Sequence, residues 1–256
     1  MQNTEHADVV IVGAGAAGLM AGIWAGRMNP KRSIILLDGA KKIGRKILIA
    51  GGGRCNVTHH EVTEQAYAGA SRNAIKKVLK QFDVPETIAF FADLGVTLKR
   101  EETGKLFPTT DKARTVLNAL VHETERVAEI RPDHRVESVN NNGVSFLLQG
   151  PFGTITAKKL VLATGGKSIP KTGSDGQGYV IAQSLGHTIT PRVFPALVPL
   201  TVPKNHWIRE LKGITIQAKL DLWTPTGKRV ESFTNSMLCT HFGLSGPAVL
   251  DMSRYY

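Results

Sequence analysis

Short apolar runs that end in glycine-rich turns set the pattern of the first forty residues. Residues 9–12 are uninterrupted and β-branched, which is typical of a strand buried on both faces. A glycine turn follows, and residues 19–25 have the composition of a helix. Residues 33–37 are a second apolar run of strand length, and Asp38 ends it. This order predicts a strand, a turn, a helix and a second strand parallel to the first.

Three helices are predicted in the next part of the chain. The first covers 71–81 with Ser71 as its N-cap, and the second covers 85–94 with a proline in its first turn. The third covers 111–126, where apolar residues recur at helical spacing. Packing against a core is the expected role of that apolar face.

The period then changes to that of strands. An Asn-Asn-Asn-Gly sequence at 140–143 is a strong hairpin signal, so 134–157 is predicted to be a three-stranded antiparallel meander. A buried strand is predicted directly afterwards, over 159–163, and it ends in a turn that contains Thr164 and Gly165. Ligands of open α/β sheets bind at the carboxyl ends of strands, so we expect this turn near the same ligand as the first glycine turn.

Four prolines between residues 191 and 203 mark a boundary. We therefore predict one domain over 1–190 and the start of a second, β-rich domain over 191–256. The elements predicted in the second domain are strands over 213–223 and 228–233 and a helix that begins at Pro247.

The first glycine turn has the spacing G-x-G-x-x-G, at Gly13, Gly15 and Gly18. The first glycine allows the tight turn, the second leaves no Cβ where a pyrophosphate approaches, and the third lets helix and strand pack closely. The N–H groups at the helix N-terminus would then face the phosphates, and Ala16 belongs to this pyrophosphate site. Asp38, 20 residues after Gly18, can accept hydrogen bonds from an adenosine ribose. The pattern predicts a dinucleotide site and does not distinguish FAD from NAD.

A second glycine-rich segment, at 51–53, is flanked by Arg45, Lys46 and Arg54. Backbone N–H groups and positive charge together suit a pyrophosphate or the negative charge of a reduced flavin. A flexible basic loop is the alternative.

Charge and composition narrow the class of partner. The formal net charge is +11, which fits either a nucleic-acid surface or a generally basic surface that attracts anionic cofactors. The basic residues are scattered, and no helix-turn-helix, zinc or RNA-binding motif accompanies them, so a small-molecule substrate is favoured over nucleic acid. No metal site is predicted. The lack of a long apolar segment, a signal peptide or a disulfide pattern predicts a cytoplasmic protein that does not enter the membrane.

Two residues are candidates for a catalytic role. The Cys55 thiol follows Arg54, which could lower its pKa and make it a redox or acid group; a small residue packed beside a flavin is the alternative. His241 is a candidate proton donor in a substrate cleft, and a packed histidine between domains is the alternative.

The motifs GAGAAGL with Asp38, GRKILIAGGGRCNVT, LVLATGG and THFGLSGPAVL together resemble the YhiN/BaiN-like family of NAD(P)/FAD-dependent oxidoreductases. The resemblance implies a Rossmann-like FAD/NAD(P)-binding α/β domain with an antiparallel β-meander, followed by the start of an inserted β-rich domain. It also implies that the last third of the FAD domain would return after the insert. The chain stops at Tyr256 without a helix cap, so we expect a C-terminally truncated chain that lacks this returning segment and is inactive without it.

The resemblance implies FAD as the cofactor, with NADH or NADPH as the electron donor, and assigns residues to three parts of the site. The pyrophosphate and ribose residues are those of the first glycine turn and Asp38. The other two groups are Lys46, Gly52, Gly53, Arg54 and Cys55 on the flavin side, and Ala163, Thr164 and Gly165 near the adenine.

The resulting hypothesis is an FAD-dependent oxidoreductase that transfers a hydride between flavin N5 and NAD(P)H or a small organic substrate. The resemblance implies amine oxidation or the reduction of a conjugated double bond. A non-catalytic dinucleotide-binding protein is the first alternative. A flavin-dependent RNA-modifying enzyme, suggested by the charge, is the second.

Overall fold

The structure is a computed structural model that describes residues 5–67 and 71–255. The chain divides into two compact units, one up to Ile189 and the other from Thr190. In the first unit the strands are β1 (Glu5–Val12), β2 (Ile34–Leu37), β3 (Thr58–His59), β4 (Leu98–Arg100), β5 (Lys105–Pro108), β6 (Glu129–Arg131), β7 (Ser138–Asn141), β8 (Phe146–Gly150) and β9 (Gly153–Leu162). Its helices are α1 (Ala16–Met28), α2 (Arg45–Ile49), α3 (Arg72–Leu79), α4 (Val84–Asp93), α5 (Ala113–Glu125) and α6 (Gln177–Ser184).

A six-stranded mixed sheet, in the order β6-β2-β1-β9-β8-β7, is the centre of the first unit. The strands β6, β2, β1 and β9 are parallel, and β8 and β7 continue the sheet in antiparallel pairing. Alternate residues of β1 enter different cores. Val9 and Ile11 pack on the face that also holds α1 and α5, whereas Val10 and Val12 pack with Leu148 on the other face. The prediction of a first strand buried on both faces is therefore confirmed, and so is the α/β fold.

The third strand of the meander and the strand predicted after it are one element, β9. Its first half pairs with β8 up to Ala157, while β1 pairs with it from Ile155 to Leu162. The sequence predicts that the second half of β9 is buried. This is wrong, because β8 does not extend beside that half, and Val161 is 37% exposed. No turn-forming residue separates the two predicted strands in the sequence, which explains why the chain runs straight through.

The predicted helices are present, with their ends shifted by a few residues. Ser71 caps α3 by accepting a hydrogen bond from the N–H of Ala74. Asp83 and Glu86 form a capping box at the start of α4. The sequence does not predict the short elements α2 and β6, nor does it predict that β3, β5 and β4 pair in a small antiparallel sheet.

The second unit is built on a four-stranded antiparallel sheet in the order β10-β13-β12-β11. Its elements are β10 (Leu200–Thr201), β11 (Thr215–Trp223), β12 (Arg229–Cys239), β13 (Gly243–Ser245) and α7 (Pro247–Met252). The strand β12 continues six residues beyond the predicted end at 233, and Met237 and Cys239 in that extension pack with Val249 in the core of this unit. No helix within residues 5–67 and 71–255 is long and apolar enough to cross a membrane.

Candidate functional site

The first glycine turn connects β1 to α1, and its three glycines have different surroundings. Gly13 has φ +105°, and a Cβ there would lie 2.5 Å from the carbonyl oxygen of Ala163. A Cβ on Gly18 would overlap the carbonyl oxygen of Gly13 and lie 2.9 Å from its carbonyl carbon. A Cβ on Gly15 would meet nothing within 4 Å. Two glycines therefore permit close packing, and Gly15 alone leaves space beside the backbone.

The N-terminus of α1 opens onto that space. Gly15 is its N-cap, and the helix has no side-chain cap and no acidic residue in its first turn. The first N–H groups of a helix lack intrahelical acceptors, and this end of the helix carries partial positive charge. Ala16 and Ala17 present this end to the surface, so the position suits an anionic group.

A cleft of about 1030 Å³ lies beside the glycine turn, at the carboxyl ends of β1, β2 and β9. Six cationic side chains and three carboxylates line it. They are Lys41, Lys42, Arg45, Lys46, Arg135 and Lys171, with Asp38, Asp133 and Asp175. The positive excess, the helix N-terminus and the volume together suit a ligand with phosphate groups.

The segment after β9 closes one side of the cleft. Gly178, in the first turn of α6, packs so closely that a Cβ would overlap the Thr164 hydroxyl, and one on Gly165 would lie 2.6 Å from the Ser174 oxygen. Ser174 is itself buried. The structure thus brings the turn after β9 against the start of α6.

Two exposed polar contacts connect the segment after β9 to residues on other segments that line the cleft. The Arg45 guanidinium donates to the carbonyl oxygen of Lys171 at 2.9 Å, and the Arg135 guanidinium pairs with Asp175 at 2.7 Å. The N–H of Gln177 and the charge of Arg135 hold the pKa of the Asp175 carboxyl below its ordinary value.

Asp38 lies at the end of β2 and lines the cleft, as the ribose prediction requires. Its Oδ2 accepts the N–H of Ala14 at 2.7 Å, and its Oδ1 accepts the N–H of Ala40 at 2.8 Å. The carboxylate therefore contacts the backbone of the glycine turn and that of the segment after β2.

The triple-glycine segment forms a tight left-handed turn after α2. Gly51, Gly52 and Gly53 all have positive φ, and a Cβ on Gly51 would lie 2.6 Å from the Phe107 ring. Gly52 has open space around it. None of the three lines the cleft described above. Their predicted place beside a flavin therefore stays a prediction.

Arg54 turns away from that cleft toward the small sheet. Its guanidinium forms an ion pair with Glu101, lies 3.7 Å from Asp111 and sits over the Phe107 ring, 4.1 Å from its centroid. Lys99 pairs with the other oxygen of Asp111. In this structure Arg54 holds the glycine turn against β4 and β5.

Cys55 does not have the environment that an activated thiol requires. Its side chain is 6% exposed, and burial raises the pKa of the thiol. The guanidinium of Arg54 is engaged elsewhere, so the expectation of a lowered pKa is wrong in direction. Burial in an apolar core favours the alternative, a small packed residue.

His241 belongs to the second unit, where it is exposed. Its ring lies edge-on to the Phe242 ring, with 4.8 Å between the ring centroids. Its backbone carbonyl accepts a hydrogen bond from Arg209. Its role as a proton donor stays a prediction. In the described part of the chain, no cluster of three or more histidine, cysteine, aspartate or glutamate side chains could hold a metal ion.

The predicted residues therefore fall into two sets. Those that line the cleft are Gly13, Gly15, Ala16, Asp38, Lys46, Ala163, Thr164 and Gly165, and those that do not are Gly18, Gly52, Gly53, Arg54, Cys55 and His241. Arg135, Ser174 and Tyr179 also line the cleft, and of these three sequence reasoning does not single out Arg135. No motif surrounds Arg135; its place near the end of β6 is evident only once that strand is known.

Comparison with known proteins gives a consistent result. The profile of the HI0933-like protein Rossmann domain matches residues 7–243. The chain is 37% identical, over 96% of its length, to a 3-dehydro-bile acid delta(4,6)-reductase of Clostridium scindens, of which the match covers 59%. It is 34% identical, over 99% of its length, to a ribosomal RNA dihydrouridine synthase of Haemophilus influenzae, of which the match covers 62%.

The chain thus spans about six tenths of the length of these curated relatives. Among solved structures, the open conformation of a flavocytochrome c3 fumarate reductase is similar in fold, with a TM-score of 0.53 and 19% identity. That similarity covers 84% of this chain and 48% of the other. The match over residues 7–243 confirms the resemblance that the motifs carry, and the chain belongs to the HI0933-like Rossmann-domain family.

Proposed function

We propose that the chain binds FAD in the cleft beside the first glycine turn and is the cofactor-binding part of an oxidoreductase. The observation that carries the proposal is the open space at Gly15, where the uncapped N-terminus of α1 meets a cleft with a positive excess of charge. A pyrophosphate is the group that this combination suits.

Each part of the cleft has a proposed task. The backbone of Gly13, Gly15 and Ala16 binds the pyrophosphate, and Asp38 accepts a ribose hydroxyl. Gly18 supports the turn by close packing rather than by contact. Lys46, which lines the same cleft, supplies positive charge.

A second group of contacts closes the site from the other side. Ala163, Thr164 and Gly165 form the wall nearest the adenine. Gly52 and Gly53 stay proposed as backbone donors on the flavin side, with Arg54 as the residue that fixes their turn.

When bound, FAD supplies hydride transfer at its N5 atom. The chain's own contribution is to hold the cofactor and to offset its negative charge. We propose the reduction of a carbon–carbon double bond conjugated to a carbonyl, with NADH or NADPH as the donor, rather than amine oxidation. Both curated relatives support this class by name, since a delta(4,6) 3-dehydro steroid and uracil each contain such a bond.

The proposal is tested by loading the chain with FAD, reducing it with dithionite without oxygen, and adding acceptors. An enone is expected to restore the visible absorbance of oxidised flavin in the reduced chain, and a simple primary amine is expected not to bleach the flavin of the oxidised, FAD-loaded chain. A loaded chain that no conjugated acceptor reoxidises would favour the non-catalytic alternative.

RNA is the second candidate substrate, because a ribosomal RNA enzyme is among the relatives and the net charge is +11. It predicts RNA binding that weakens steeply as salt is raised. An oligonucleotide that contains uridine, titrated at low and high salt, distinguishes the two substrate classes. No binding at low salt would exclude RNA for this part of the protein.

A further inference from the structure

Asp38 connects three segments around the cleft. Its carboxylate accepts the N–H of Ala14, in the middle of the glycine turn, and the N–H of Ala40, which leads into the basic segment before α2. Its backbone N–H donates to the carbonyl of Arg131 at 3.0 Å, and its carbonyl accepts the N–H of His134 at 2.8 Å. The residue is therefore fixed by its backbone and in turn fixes two loops through its side chain.

The Ala14 N–H depends on this carboxylate. Ala14 is 0% exposed, so water cannot replace a lost hydrogen-bond acceptor. A buried N–H without an acceptor is costly, and hydrogen bonds to a carboxylate are stronger than neutral ones. Because Ala14 lies between Gly13 and Gly15, a movement of its N–H also moves the backbone that faces the phosphates.

We propose that Asp38 is a positioning residue that holds the glycine turn and the basic wall in their binding geometry, in addition to any contact with the ribose. An ionised carboxylate has about four acceptor sites, and two are used here, so both roles are compatible. The inference deepens the proposed function, because it assigns part of the phosphate affinity to a residue that touches no phosphate.

The test compares two ligands and three proteins. The ligands are FAD and an FAD analogue whose adenosine ribose lacks both hydroxyl groups. The proteins are the wild type, Asp38→Asn and the control Asp133→Asn, which removes the same charge from an exposed position on the same cleft. Asparagine also tolerates the positive φ of residue 133.

Asp38→Asn is expected to weaken binding of the analogue by about tenfold or more, since the glycine turn loses a hydrogen bond to a charged group and must be ordered again when the ligand binds. Asp133→Asn is expected to change it by much less. If Asp38→Asn weakens FAD but leaves the analogue unchanged, the residue acts on the ribose alone and the proposal is overturned.

Hydrogen exchange in the ligand-free chain is a separate readout. Faster exchange at Ala14 and Ala40 in Asp38→Asn supports the positioning role, and unchanged exchange contradicts it. If the wild type binds neither ligand, the proposed function fails, while the exchange result still decides the role of Asp38. If Asp38→Asn does not fold, Asp38→Glu replaces it. That variant keeps an acid for the ribose, so weaker binding of the analogue supports the proposal and unchanged binding overturns it.

Discussion

Gly15→Ala and Gly18→Ala add the same methyl group at two positions of one turn, and we expect the first to weaken FAD binding and the second to destabilise the fold. At residue 18 the new Cβ overlaps the Gly13 carbonyl, which is backbone and cannot move cheaply. Overpacking of this kind costs about 1–3 kcal/mol of folding free energy. At residue 15 the new Cβ meets nothing within 4 Å, and the backbone angles, φ −82° and ψ −169°, are ones that alanine adopts. Gly15→Ala should therefore change stability by less than about 1 kcal/mol.

The two variants should also separate in FAD affinity. The methyl group of Gly15→Ala occupies the space through which a pyrophosphate reaches the backbone, so binding should weaken by about tenfold or more through lost charge-assisted hydrogen bonds. Urea unfolding measures the first effect, and titration with FAD, followed by its fluorescence, measures the second. The reasoning is refuted if Gly15→Ala binds FAD like the wild type, or if it destabilises the fold as much as Gly18→Ala.

Three further predictions concern residues outside the glycine turn. Cys55 should not react with a thiol reagent in the folded chain at neutral pH, because the residue is buried and burial raises the pKa of its thiol. Thiol titration before and after denaturation tests this, and fast reaction of Cys55 in the folded chain would contradict it. Glu123 is buried and pairs with Arg27 at 2.6 Å, so Glu123→Gln should cost about 1–3 kcal/mol in urea unfolding, and an unchanged midpoint would count against the pair. Burial raises the pKa of the Glu123 carboxyl, but its arginine partners outweigh this and bring the pKa below the ordinary 4.5. The contribution of Glu123 to folding stability is therefore complete above pH 4.5 and is lost as pH falls through the lower, folded-state pKa. Glu123→Gln should lack this acid-dependent loss of stability. The stability losses of Arg54→Gln and Glu101→Gln should not add in the double variant, since each single change breaks the same ion pair, and additive losses would contradict the pairing.

Sequence patterns were sufficient for the βαβ unit because its signals are local. The β-branched run of β1, the glycine turn and the helix α1 follow one another directly, and each is long enough to show its period. The capping residue Ser71 was predictable for the same reason. The elements α2 and β6 have five and three residues, too few for a period to be evident.

The partners of the site residues were not predictable in the same way. Arg54 pairs with a glutamate 47 positions later, and Arg135 pairs with Asp175 across 40 positions. Such pairs form because the fold brings distant segments together, and no spacing rule in the sequence marks them. The distance to the glycines predicts Asp38 as a site residue, but its bonds to Ala14 and Ala40 depend on loop geometry that the motif does not specify.

The visible absorption spectrum of the purified chain tests the central claim most directly. We predict a flavin spectrum, either as purified or after FAD is added and excess removed, with the colour released into the supernatant on denaturation. A chain that stays colourless after incubation with FAD, and whose FAD fluorescence does not change on titration, would contradict the assignment of this cleft to FAD.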